Sequence, residues 1–189
     1  MLKNLSLIVT ACVLSLSVHA DTDLAAKNAL SKQAIMAFGK SLKHELTTAM
    51  KAGGPVNAIG VCNLKAPEIA SQVSGESGFE LSRTSLKNRN PANAATDWQR
   101  QVMEDFEAAK QSGQNPAEME FSTVVDTDDG KEYRYMKPIA TGEVCLKCHG
   151  SSIAEEVTAK LKELYPDDKA TGFSEGDLRG AFKNKKKIQ

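Results

Sequence analysis

Histidine is scarce in this sequence, three residues in 189, and cysteine is hardly commoner at four. A structural zinc site usually draws on two ligand pairs. Beyond one Cys- and His-bearing stretch at 145–149, residues 21–189 offer only an isolated Cys62 and His44 for a second pair. Charge of one sign is also missing, with 24 Lys and Arg against 24 Asp and Glu. That balance points to neither nucleic acid nor an acidic membrane surface as a partner. After one apolar run at the start, no other reaches the length of a membrane span, and there is no internal repeat and no long linker.

What the chain does carry is Cys145-Leu146-Lys147-Cys148-His149. Two thiols three residues apart, followed at once by an imidazole, are what covalent attachment of a c-type haem needs. On a helical turn, residues i and i+3 share a face, so both sulfurs can form thioethers with the vinyl groups along one porphyrin edge. His149 is then placed to become the proximal iron ligand. From the chain's own cysteine and histidine content, chance would give this motif about once in a thousand such sequences. A thioredoxin-like dithiol would sit between a parallel strand and a helix, whereas Lys137-Pro138-Ile139-Ala140-Thr141-Gly142 ahead of Cys145 reads as a loop without that pattern.

Residues 1–20 read as a secretory signal, with Lys3 at the positive start, an apolar run from Leu5 to Val18, and a small-residue site at Val18-His19-Ala20. The expectation is cleavage after Ala20 and a periplasmic product. Val9-Thr10-Ala11-Cys12 resembles a lipoprotein processing site, but a cut there would leave only Leu5 to Val9 as apolar core. Removing the first twenty residues leaves 169 with a net charge of −1, enough for one domain over residues 21–189. With Cys12 gone and Cys145 and Cys148 in thioethers, Cys62 is an odd thiol in an oxidising compartment, which needs an explanation.

Periodicity places the elements. Ile35, Phe38, Leu42, Leu46 and Met50 recur at helical spacing in a long amphipathic helix over 23–50, ended by Gly53-Gly54-Pro55. A shorter helix over 56–64 follows, with Ile59 and Cys62 on one face, and Pro67 opens another. Phe79 to Thr84 alternates as a strand. Thr96 and Gln99 form a capping box ahead of a helix with Trp98, Val102, Phe106 and Ala109 on one side. Residues 118–126 and 131–139 read as a hairpin around an Asp-Gly turn. Ile153, Val157, Leu161 and Leu164 mark a further helix, residues 171–180 are Gly-rich and turn-like, and 178–183 make a short last strand. Lys183-Asn184-Lys185-Lys186-Lys187 reads as a frayed, solvated tail. The fold class is α+β, a small antiparallel sheet packed by helices.

Several stretches together resemble one family. They are Ile59-Gly60-Val61-Cys62 with Ala66-Pro67, Arg83 through Asn93, Tyr135-Met136-Lys137-Pro138-Ile139, Cys145 through Gly150, and Tyr165-Pro166-Asp167 through Gly180. The family is the single-haem c-type domain with a PAS-like fold, also found as the extracytoplasmic input of signalling proteins. The resemblance spans nearly all of residues 21–189. It implies a PAS-like antiparallel sheet with one covalently bound haem c held against it and an unusual Cys/His axial pair, His149 as proximal ligand and Cys62 matching the distal cysteine.

A thiolate donor would stabilise ferric iron and lower the reduction potential. The plainer reading of Cys62 is a small buried residue on a helix face. The other residues that could take the sixth position are His44, as second choice, then Met50, Met103, Met119 and Met136. His44 also reads as a surface histidine near a helix end, and the methionines as core filler. Arg83, Lys87 and Arg89 could neutralise haem propionates or be solvated around a turn lattice. Tyr133 and Tyr135, at period two, would line the haem pocket or the core. The favoured function is one-electron transfer with an unidentified redox partner. The runner-up is a redox or gas sensor, whose Cys62 yields to a small gas or changes partner on reduction and which signals through another protein. An enzyme is not expected, since a thiolate would block the open position that haem catalysis needs.

Overall fold

The computed structural model describes the main chain of residues 14–188 and the side chains from residue 23 onward. Most of the expected signal, including Cys12, lies outside the described residues. Helix α1 runs over Leu14–Gly60 but is broken where the sequence places its stop: Gly53 leaves helical angles and Gly54 takes φ 69°. That conformation costs glycine nothing and a residue with a Cβ a good deal. The chain after the break passes into a π-helical turn, Val61–Lys65, and then into α2, Ala66–Ser77, with proline in its first turn. Cys62 thus sits on the π-turn, two residues past the last α-helical position, Gly60. Among the described residues no helix is long and apolar enough to cross a membrane.

Four strands, β1 (Glu80–Thr84), β2 (Phe121–Thr127), β3 (Gly130–Ala140) and β4 (Leu178–Ile188), form one antiparallel sheet in the order β1-β4-β3-β2. Helix α3, Asp97–Gln111, packs on one face and α1 with α2 on the other. Strand alternation assigns the side chains. Tyr133 and Tyr135 face Ile35, Phe38 and Val73, while Met136 and Ala181 face Val102, Met103 and Phe106. The expected capping box forms, with the Thr96 N–H donating to Gln99 Oε1 at 3.3 Å. The same oxygen accepts from Thr84 Oγ1 at 2.9 Å and so ties α3 to β1.

Two expectations are corrected here. The lysine run 183–187 is no frayed tail: it lies inside β4, paired with β3 throughout and with β1 as far as Lys185. Two of its lysines find carboxylates, Lys185 at 3.2 Å from Glu80 and Lys187 at 2.7 Å from Asp129, and Asn184 ahead of them is buried. Two ladders of backbone hydrogen bonds outweigh the tendency of a charged end to fray.

The second correction concerns Tyr133 and Tyr135, which belong to the core between sheet and α1 and do not line the cavity beside His149. Their hydroxyls are engaged elsewhere. Tyr133 donates to Asn28 Oδ1 at 2.9 Å and meets Ser31 Oγ at 3.0 Å, and Tyr135 donates to Glu120 Oε2 at 2.7 Å. Ser31 is fully buried, so Tyr133→Phe strands its hydroxyl. The expected loss is about 1–3 kcal/mol of stability, read as a lower urea midpoint at unchanged slope.

Candidate functional site

The motif residues occupy two successive turns. Cys145 closes a 3₁₀ turn, Glu143–Cys145, and α4, Leu146–His149, adds one α-helical turn that carries Cys148 and ends on His149. Gly150 N–H returns to Leu146 O at 3.0 Å, and a Cβ at Gly150 would sit 2.7 Å from that same oxygen, so the exit from the turn is too tight for a side chain. The segment after α5, Glu155–Leu164, runs back along the motif. Phe173 N–H donates to His149 O at 2.9 Å and Gly172 N–H to Gly150 O at 3.0 Å.

The imidazole is held in one tautomer. His149 Nδ1 lies 2.7 Å from Ala170 O, an acceptor only, so Nδ1 carries the proton and Nε2 the lone pair. Burial above all, then the cations Arg179 and Arg89, holds its pKa down to about 3. The ring is a neutral donor at any physiological pH. Phe173 stands edge-on to it, with centroids 6.3 Å apart.

Three guanidiniums surround this ring and the Cys62 thiol. Arg89 pairs with Asp168 at 2.9 Å and donates through Nη2 to Cys148 O at 2.6 Å and Ala170 O at 3.2 Å. Asp168 Oδ1 in turn accepts from Ala170 N–H at 2.8 Å. Arg89 is therefore a clip that fastens the motif to the 168–170 segment, while it also lines the cavity beside His149.

Arg179 lies beside the imidazole, its Nε 3.5 Å from Nε2 and 3.2 Å from Nδ1. Because Nδ1 is a donor, only Nε2 can receive the Arg179 proton. Its Nη1 donates to Ser85 Oγ at 3.0 Å and Lys87 O at 3.1 Å. Arg83 projects from β1 over the Phe38 ring, 5.7 Å from the centroid. Lys87 is exposed, reaching Thr171 O at 3.3 Å and lying over Phe173. Arg83, Arg179 and His149, with Leu42, Asn88 and Phe182, line a cavity of about 150 Å³.

Cys62 faces the same ground from the π-turn. Burial pushes its thiol pKa up, and Arg83, Arg89 and Arg179, in that order, pull it back, while Cys145 bears on it as well. Burial likewise raises Cys148, against the pull of Arg89. His44 is placed elsewhere, exposed in the groove between α1 and α2 with Ile69 and Gln72. Met103, Met119 and Met136 are core residues under α3, as their spacing suggests.

These residues fit a covalently held haem. Two thiols on adjacent turns precede a neutral, oriented imidazole, and a third thiol lies within electrostatic reach. The three cations, Arg89 buried and Arg83 and Arg179 half-buried, have one carboxylate paired among them, a surplus that suits a group bringing carboxylates of its own. Leu64 and Val144 are exposed although both are apolar, and they neighbour Cys62 and Cys145 in the chain. A cavity of about 150 Å³ falls below the ~300–1,000 Å³ that enclose whole ligands, so it would take the periphery of a macrocycle and not the ring. Among the described residues no three His, Cys, Asp or Glu side chains converge as a bare metal cage. Arg179 and Asp168 gave no sign in the sequence, since only the pairing of distant segments brings them to the motif.

Comparison with known proteins gives a consistent picture. The family model described as Tll0287-like matches residues 17–185. Among solved structures, the crystal structure of the cyanobacterial heme-protein Tll0287 superposes with a TM-score of 0.65 at 23% identity, covering 87% of this chain and 97% of that one. No curated protein matches the chain.

Proposed function

The chain belongs to the Tll0287-like family, and on that footing we propose that it is an exported haem protein of the periplasm. In this reading Cys145 and Cys148 would hold one haem, His149 and Cys62 would ligate its iron, and the protein would pass single electrons to a partner. The observation that carries it is the His149 imidazole, half-buried, neutral and fixed by Ala170 O directly after two thiols on adjacent turns. That the solved relative is a heme-protein supports it.

When bound, the haem supplies an iron that alternates between ferric and ferrous. The rest is the work of side chains. His149 presents the Nε2 lone pair, which a metal would take in place of the Arg179 proton. Cys62 gives up the proton on Sγ to bind, a loss that Arg83, Arg89 and Arg179 favour and burial opposes. Arg83, Arg89 and Arg179, but not Lys87, line the cavity where the haem carboxylates would be received.

Absorption and electron paramagnetic resonance spectra of the ferric protein test the ligand pair. Wild type is expected to show a low-spin thiolate signature that Cys62→Ser loses. Identical spectra for the two proteins would overturn the assignment. Haem that leaves the denatured chain in acidified organic solvent would refute thioether attachment. The π-turn under Cys62 favours a second reading, a redox or gas sensor, because such turns often mark functional sites that can change register. Ready binding of carbon monoxide by the reduced protein supports the sensor, and a ferrous form inert to it supports the carrier.

A further inference from the structure

We propose that Arg83 and Arg179 set the reduction potential of the site, by supplying half-buried positive charge that no carboxylate among the described residues pairs directly. The inference rests on the haem reading above but not on which residue is the sixth ligand.

The two arginines differ from the third. Arg89 is matched by Asp168 at 2.9 Å, whereas among the described residues no carboxylate lies within 4.0 Å of Arg83 or Arg179. Both are nonetheless kept close to the ligands. Arg83 rests on the face of Phe38 and its charge bears on Cys62. Arg179 is pinned by Ser85 Oγ and Lys87 O, so its charge stays put even when a metal displaces its Nε from His149. Burial lowers the Arg179 pKa to about 10, which leaves the group protonated at neutral pH.

Fixed charge of this kind acts on redox equilibrium directly. An electron delivered by a mediator makes the site one unit more negative, with no bond required to form or break. A cation nearby favours the electron's arrival, and the favour is large where water does not screen it. Thiolate ligation works the other way, by stabilising the ferric state. Arg83 and Arg179 are thus positioning charges that offset the thiolate. Exposed Lys87, over the same Phe173 ring as Arg179, is screened and contributes little.

Spectroelectrochemical titration of the full haem-loaded chain tests this. R83Q and R179Q are each expected to raise the ratio of oxidised to reduced protein about tenfold at a fixed ambient potential, equal to 59 mV downward for a one-electron couple. R179K, which keeps the charge but not the fork, and K87Q are expected to stay within about twofold of wild type. An R179Q midpoint unchanged or raised, or an R179K shift as large as that of R179Q, overturns the proposal. If R83Q does not fold, R83K takes its place: a midpoint near wild type supports the charge role, and a tenfold shift refutes it. Repeating R179Q on Cys62→Ser separates the two readings. A shift that persists there, while Cys62→Ser leaves the ferric spectrum unchanged, means that the ligand assignment has failed and the charge effect stands.

Discussion

Asp168→Ala is expected to cost about 3–5 kcal/mol of folding stability, the range seen when one member of a buried ion pair is removed. The side chains of the pair are only 8% and 12% exposed, so water cannot take the carboxylate's place. Arg89 would be left charged among Cys148 O, Ala170 O and apolar neighbours. The damage should reach the haem motif, because the 168–170 segment also orients His149 through Ala170 O. Urea unfolding followed by circular dichroism gives the stability. Asp168→Asn, which retains an oxygen for the Ala170 N–H, should lose less. A loss below about 1 kcal/mol for Asp168→Ala would class the pair with exposed salt bridges and refute the clip.

Phe38→Ala is expected to be as damaging, at about 3–5 kcal/mol. Phe38 has no exposed surface, and its ring meets Phe182 edge to face at 5.6 Å. It is the joint between α1 and the central strand, and the rest on which Arg83 lies. Phe38→Leu should recover most of the loss. An alanine variant with a wild-type midpoint would mean that α1 is held by other contacts.

How far the sequence disclosed this molecule depended on the range of the forces involved. The hairpin at Asp129-Gly130, the capping box at Thr96 and the break at Gly53-Gly54 rest on interactions between near neighbours, and all three stand in the structure. The motif at 145–149 could be recognised for the same reason, since the spacing of its two thiols is local. The lysine run misled because local composition says fraying, whereas the two strands that flank it come from residues 80–84 and 130–140. Tyr133 and Tyr135 were legible as one face of a strand but not as to which face, a matter settled by where α1 packs.

The site divides in the same way. Cys145, Cys148 and His149 could be read one after another. Arg89 could be named, but its use could not, because Asp168 lies 79 residues away. Arg179 stood unremarked in a short strand, and its place beside His149, 30 residues back, is a product of the β4 pairing. Local pattern supplied the candidate ligands, and topology supplied the charges around them.

The position of β4 between β1 and β3 has a consequence in time. It is the last described element of the chain and also an inner strand of the sheet. During synthesis from the amino terminus, β1 and the β2–β3 hairpin have no ladder joining them until β4 is made, and each presents an open edge meanwhile. Arg179 arrives with that same strand, and the glycine after it passes so close to Thr84 O that a Cβ would collide there. Closure of the sheet and completion of the charged wall beside His149 are therefore one event, which cannot precede the synthesis of β4.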